Sequence, residues 1–337
     1  MNSTQVDRES RRALEERRVV AVDAMGGDHG PSVMVDAAVD ALGLDPGLEV
    51  LLTGDVPALE SRLGALDAPE GRVEVAAAEG VIPADAKPRQ ILREGPGTSL
   101  WAALEHVANG NARACISAGN TVALMTLGVK LVGRLPGVQR PALMSYIPRS
   151  GGLTGMLDLG ANLNVDATAL FQFALMGSVV CAGRHGIGSN PRVGLLNVGH
   201  EDSKGDTVLR DAHDRLRKSK LNYVGFMEGH DIFNDRTDVA VCDGFAGNLI
   251  LKASEGLADM LFAEIRNALT STPRAKLGAA LARPALRSLL ARLDPDKHNG
   301  APLLGLNGVV VKSHGRAQRR ATTFAILEAG REVEKHV

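Results

Sequence analysis

The side chains best suited to chemistry in this sequence follow short apolar runs. VVAVD (19–23) leads into AMGGDHGP (24–31), RACIS (113–117) into AGNT (118–121), and GMLDL (155–159) into GANLN (160–164). RVGLLN (192–197) leads into VGHEDSKG (198–205), DVAVC (238–242) into DGFAGN (243–248), and GVVVK (308–312) into SHG (313–315). Glycines at such points let backbone N–H groups approach a ligand, and helix N-termini attract anions. One loop of this kind is ordinary turn chemistry. Six in one chain point to a shared anion site. Neither GxGxxG after a strand nor GxxxxGK[ST] occurs, so a phosphate-sized ligand fits better than a dinucleotide. GxSxG, the nucleophile elbow, is absent as well.

From residue types, Gly26, Gly27 and the backbone of Gly119-Asn120-Thr121 are the phosphate-binding candidates, with Lys204 or Lys312 supplying charge. Lysine is a flexible point cation suited to phosphate. Asn120, Asn162 and Asn248 are candidate donors to a carbonyl oxygen. Any one of them fits turn or cap chemistry equally well, but three at strand ends favour a functional role. His29 and His314 are candidate acid/base groups, because an imidazole titrates near neutral pH. Asp23, Asp28 and Asp243 either orient these groups or cap the next helices. His185, His200, His213, His230 and His298 read as surface residues. Cys115, Cys181 and Cys242 lie in apolar runs and read as buried thiols. Nothing in the pattern calls for a metal or a cofactor.

The elements that must position these loops alternate regularly. Strand-like runs occur at 19–23, 48–53, 72–77, 113–117, 141–147, 155–159, 192–197, 222–226, 238–242 and 308–312. Several are continuous in Val, Ile and Leu, as in strands buried on both faces of a parallel sheet. Helical patterns fall between them, for example at Ser99–Ala108, Asp166–Val180, Gly205–Lys218 and Ala317–Val333. The fold class expected is α/β, a doubly wound α/β/α sheet that is mostly parallel. Residues 1–18 read as a charged arm, and 19–337 as a single unit. Ligands of such sheets bind outside the carboxyl ends of the strands, which is where the six loops lie.

Composition narrows the function classes. The chain has 337 residues, of which 3% are aromatic, and a net charge of -1. So few rings argue against base stacking on single-stranded nucleic acid, and the charge excludes a whole-protein basic footprint. No apolar run is long enough to span a bilayer. One stretch stands apart. Residues 265–293 hold Arg266, Arg274, Lys276, Arg283, Arg287 and Arg292 and no acidic residue. Its leucines recur at helical spacing, and Pro273 and Pro284 are expected to divide it into short amphipathic pieces within a helical excursion at about 259–298. A basic amphipathic helix suits a membrane surface or an acidic partner, a core-packed pair with a solvated basic face gives the same pattern, and a dimer contact is the third alternative.

The motifs VAVDAMGGDHGP, SAGNT, LDLGANLNVD, LLNVGHEDSKG, VCDGFAGNLILKASEG and APLLGLNGVVVKSHG, in that order from about Val19 to the C-terminus, resemble the PlsX family of phosphate acyltransferases. Val122 stands where the family pattern has a second glycine, Arg93 lacks the basic stretch that usually follows it, and Arg316 follows SHG in place of a small residue. The resemblance implies transfer of an acyl group from acyl carrier protein to inorganic phosphate, giving acyl phosphate for a membrane glycerol-3-phosphate acyltransferase. It also implies an architecture similar to the isocitrate/isopropylmalate dehydrogenases, a homodimer, and a cytoplasmic protein peripherally associated with the cell membrane. Phosphate is already a nucleophile, so direct attack on the thioester needs positioning and charge rather than a covalent Ser or Cys.

Overall fold

The computed structural model describes residues 17–183 and 187–334. All but the last two residues of the expected charged arm lie outside the described residues, as do His185 and the side chain of Arg292. In chain order the first elements are β1 (Arg18–Asp23), α1 (Pro31–Leu44), β2 (Leu48–Gly54), α2 (Val56–Leu63), β3 (Val73–Ala77), α3 (Pro88–Glu94), α4 (Ser99–Ala108), β4 (Ala114–Ser117), α5 (Thr121–Leu131) and β5 (Ala142–Arg149). Next come β6 (Gly152–Leu157), α6 (Ala167–Cys181), β7 (Val193–Leu196), α7 (Thr207–Arg217), β8 (Tyr223–Met227), β9 (Val239–Val241), α8 (Gly244–Thr270) and α9 (Pro273–Leu293). The last are β10 (Ala301–Leu304), β11 (Val309–Lys312) and α10 (Arg319–Glu334).

The chain divides into two compact units, one of Met1–Ser145 with Asp296–Val337 and one of Tyr146–Pro295, where the sequence pattern reads as one. A regular βα alternation carries no mark of where contacts thin out, so the division is not visible in it.

In the first unit the strands run β3-β2-β1-β4-β11-β10-β5. β1 pairs in parallel with β2 and β4, β2 with β3, and β4 with β11. β10 is antiparallel to β11 and to the start of β5. It was not foreseen, because APLL is short and opens beside a proline. Alternate strand residues face opposite sides, as the period of two requires. Val20, Val22, Val50, Leu52, Ile116 and Val311 share a core with Met34, Ala38 and Ala41 of α1 and Ala325 and Ala329 of α10. Ala21, Leu51, Cys115 and Val310 are buried on the other side, where α4 packs on β1, β2 and β4. The sheet is therefore doubly covered, which explains its unbroken apolar strands. Alanine on α1 and α10 lets the two helices approach closely.

In the second unit the order is β6-β9-β7-β8, all pairs parallel. α6 lies on β6 and β9, and α7 packs on α6 and β8. Arg149 and Arg192 both hold the buried Asp238, with Arg149 Nη2 at 2.7 Å and Arg192 Nε at 3.0 Å. The helical excursion starts earlier than expected, at Gly244, as α8 continuing into α9. Pro273 opens α9, but Pro284 lies inside an unbroken helix rather than dividing it. That helix is solvent-exposed around Pro284, so water can take the carbonyl that loses its N–H partner. No helix among the described residues is long and apolar enough to cross a membrane.

Candidate active site

In the first unit, three of the six loops converge at the carboxyl ends of β1, β4 and β11. The Asp28 amide donates to Gly315 O at 2.9 Å, and Ser313 N to Ser117 O at 2.9 Å. Asp23, at the end of β1 and fully buried, accepts from Ser117 Oγ at 2.6 Å, and that same hydroxyl accepts from Gly119 N at 3.0 Å. Gly27 has φ +82°, and a Cβ there would stand 2.8 Å from Ala118 Cβ, so both conformation and space demand glycine.

Lys312, the last residue of β11, reaches under this cluster. Its ammonium donates to Ala118 O at 3.2 Å and to its neighbour Ser313 O. Burial lowers it from its ordinary value to about 8, against the pull of Asp23 and Asp28. Burial likewise pushes the Asp23 carboxyl up, opposed by the Ser117 hydrogen bond and the Lys312 charge. A cation and a carboxylate thus sit beneath glycine-rich backbone, with Asn120 and Thr121 opening α5 beside them. An ammonium has three donors, so two bonds to carbonyls leave one for an anion.

The candidate side chains divide between structural and open roles. Asn120 is the N-cap of α5, its Oδ1 accepting from Val122 N at 2.7 Å and Ala123 N at 3.1 Å, while its amide donates to Ala84 O at 2.8 Å. It is committed to the loop rather than free to polarise a carbonyl. His29 and His314 are both exposed on the converging loops. His314 Nδ1 accepts from Arg316 N at 3.1 Å, which leaves Nε2 to carry the proton of the neutral ring. His29 Nε2 lies 3.0 Å from Gln318 Nε2 and accepts from it.

In the second unit, three loops follow β6, β9 and β7. Asp158, just after β6 and with no solvent exposure, accepts from Ala161 N at 3.2 Å, Asn162 N at 2.6 Å and Asn162 Nδ2 at 2.9 Å. Asn162 is therefore a buried brace for Asp158, not an open donor. Gly244 N donates to Asn162 O at 2.8 Å, which ties the β9 loop to the β6 loop. A Cβ on Gly247 would stand 1.8 Å from Asp158 O, so α8 begins against that turn only as glycine. Asp243 caps α8 through Ala246 N at 2.7 Å. Asn248, partly exposed at the first turn of α8, carries no side-chain hydrogen bond among the described residues. Lys204, after β7, is exposed, with no partner for its ammonium among the described residues.

Three residues central to these arrangements were not singled out from the sequence: Ser117, Asp158 and Gln318. Ser117 and Asp158 end their strands in the quoted motifs, and that position was the available signal. His213 was read as a surface residue but is buried, stacked on Phe226 with ring centroids 4.4 Å apart and its Nδ1 2.7 Å from the Tyr223 hydroxyl. It lies on the inner face of α7, where an amphipathic pattern hides a ring that has a partner. All three cysteines are buried, and burial pushes the Cys115 and Cys242 thiols well up. Thiols held protonated in this way are poor nucleophiles.

Parallel strands ending in glycine loops, with a part-buried lysine beside them, place the molecule among α/β proteins with a doubly covered, mostly parallel sheet. Two solved structures that share the fold bear the names of acyl-transfer proteins. A phosphotransacetylase from Streptococcus pyogenes superposes with TM-score 0.61 at 15% identity, over 99% of this chain and 100% of that one. A branched-chain phosphotransacylase from Enterococcus faecalis gives 0.55 at 12% identity, over 94% and 99%. Sequence narrows the class further. Residues 18–337 match the family model described as Fatty acid synthesis protein. The phosphate acyltransferase of Caulobacter vibrioides is 47% identical over 319 residues, 94% of this chain and 88% of that protein. That of Pseudomonas putida is 44% identical over 324 residues, 95% of each. The chain belongs to the PlsX family, and it is a phosphate acyltransferase of fatty acid and phospholipid synthesis.

Proposed function

We propose that the acyl donor is acyl carrier protein loaded through its thioester, and that the product is an acyl phosphate formed by direct attack. The observation that carries this reading is the part-buried Lys312 beside the loops 24–30, 117–121 and 312–315, a positive charge next to closely approaching backbone. A phosphate oxygen attacks the thioester carbonyl carbon. The tetrahedral intermediate then collapses with cleavage of the C–S bond, and the carrier leaves as thiolate and takes up a proton. Gly26, Gly27, Gly119 and Thr121 line the phosphate, with charge from Lys312, and Lys204 of the second unit is the alternative cation. Oriented N–H groups and a desolvated cation supply most of the stabilisation in such a step. His314 Nε2–H donates a hydrogen bond to the departing sulfur, whose proton comes from water, and His29, its Nε2 held by Gln318, orients the loop beside the phosphate. Asn248 is the candidate asparagine of the second unit whose side chain is uncommitted among the described residues. The buried thiols support direct transfer over a cysteinyl intermediate.

The α8–α9 pair supplies the partner surface in this proposal. Leu257, Leu261, Leu277 and Leu281 are all exposed, Leu281 by 79%, alongside Arg274, Lys276, Arg283 and Arg287. Leucines this exposed do not fit the core-packed alternative. Charge and apolar area together fit the acidic carrier protein, or the membrane face on which a glycerol-3-phosphate acyltransferase takes the product, and a second copy in a homodimer also covers such a surface. The deciding experiment mixes purified protein, long-chain acyl–carrier protein and phosphate, and traps product with hydroxylamine. Phosphate-dependent hydroxamate is the expected result. Product from acyl coenzyme A but none from the carrier protein would overturn the donor assignment.

A further inference from the structure

Beside the loop that carries Lys204, the second unit holds a cluster that the acyl transfer does not use. His200 lies in the loop after β7, and Glu228, His230 and Asp231 follow β8, the strand paired with β7. One ligand atom each of His200, His230 and Asp231 falls within 4.8 Å of the others. His200 Nε2 is 3.5 Å from Asp231 Oδ2, and His230 Nε2 is 3.6 Å from Asp231 Oδ1. Glu228 stands at the rim, 3.7 Å from each ring. Two ligands about 2.0–2.1 Å from a tetrahedral ion stand roughly 3.3 Å apart, so the spacing is nearly that of an assembled site.

A second observation points the same way. His200 Nδ1 lies 3.1 Å from the Phe226 carbonyl oxygen and donates to it. That bond fixes the tautomer, so Nε2 presents its lone pair to the cluster. Metal-binding histidines are oriented by this kind of backbone contact on the far nitrogen. Asp231 is also held in place, its side chain 4% exposed, accepting from Glu228 N at 2.9 Å and Asn234 Nδ2 at 3.0 Å. Those bonds, with burial working against them, keep its carboxyl below the usual range. Arg236 Nε, 3.9 Å from Asp231 Oδ2, offsets part of the negative charge. The cluster thus suits a weakly held ion rather than a permanent one.

We propose that His200, His230 and Asp231 bind a divalent transition ion, zinc in the first instance, with the fourth position open to Glu228 or water. Two imidazoles select a borderline ion of the zinc class over magnesium or calcium, which prefer all-oxygen sites. The ion would join the loops after β7 and β8, and so fix the segment from which Lys204 projects.

The test uses the full chain, stripped with a chelator and titrated with zinc chloride by calorimetry. One equivalent is expected to bind with a Kd on the order of micromolar, undisturbed by a roughly thousandfold excess of magnesium. His200→Asn and His230→Asn are each expected to weaken binding at least about tenfold, while His106→Asn, at a half-buried histidine of the first unit, leaves it unchanged. Uptake that is unaltered in the double variant, or no uptake by the native chain at about 100 μM zinc, overturns the proposal. A readout on the native chain covers failure of the variants to fold. Bound cobalt is expected to give the intense visible bands of a tetrahedral ion, and a weak octahedral spectrum counts against the site.

Discussion

The strand-end loops of the two units use a buried aspartate in opposite ways. In the first unit Asp23 is answered by the Ser117 and Ser99 hydroxyls, the Met25 backbone and the charge of Lys312, and both ionisable groups are shifted by burial. In the second, Asp158 accepts from three amide groups, and that unit's candidate cation, Lys204, stands in solvent on another loop. The first arrangement is electrostatically loaded. Removing either partner leaves a charge in a desolvated place. The second is closed, and it holds the start of α8 against the end of β6. The phosphate site proposed for the first unit thus rests on a pair of opposite charges already in place, while the second unit's loops rest on backbone contacts, with Lys204 in solvent.

Breaking the closed arrangement has the largest effect. Gly247→Ala places a methyl against Asp158 O and is expected to cost about 3 kcal/mol or more, read as a Tm lower by roughly 10 °C in thermal denaturation. Full stability in that variant would show that the turn is soft. Next comes the loaded arrangement. Lys312→Met is expected to lower kcat/KM for phosphate by about 100- to 1000-fold in steady-state assays, with Tm lower by a few degrees because Asp23 loses the charge that offsets its burial. Loss of stability with no change in phosphate kinetics would make Lys312 a strut alone.

The third test uses pH. Lys312 loses its proton at about 8 in the folded chain, and an unfolded lysine does so near 10.4. Between these values the unfolded state binds more protons, so stability from this group rises with pH. Phosphate affinity should move the other way, with its KM climbing about tenfold per pH unit above about 8. Parallel profiles for Tm and phosphate affinity would contradict the assignment. Lys204→Ala is expected to be milder, raising the KM for phosphate about tenfold and leaving Tm untouched, since the residue is exposed. The smallest effect concerns the surface. Charge reversal at Arg283 and Arg287 should reduce cosedimentation with anionic vesicles, or capture of carrier protein, by about fivefold, with kcat on saturating substrate unchanged. If both binding readouts hold steady, the basic helix pair serves neither partner.

Much of this molecule was legible in its chain. Strands of Val, Ile and Leu with helical patterns between them give a parallel sheet covered on both faces, because burial on two sides removes the need for alternation. Ser99–Ala108 is a helix with the bounds that its pattern gives. The glycines at strand ends marked where backbone must pass close to backbone or to a ligand. Other features depend on contacts that a linear pattern does not contain. The short antiparallel β10 is set by its neighbours, not by its own residues. Asn120, Asn162 and Asp243 have side chains that suit a cap and a catalytic role equally, and only their observed partners show Asn120 and Asp243 committed to helix-start amides and Asn162 to the Asp158 carboxylate. His213 gives no sign in sequence of the Phe226 and Tyr223 that enclose it. Periodicity along α8 and α9 shows which leucines share a face but not whether anything covers it. The meeting of Asp23 with Lys312 joins residues from opposite ends of the chain. Local pattern determines which elements form and where they stop, because those energies come from near neighbours. Which charges share a low-dielectric site is decided only when the distant strands pair.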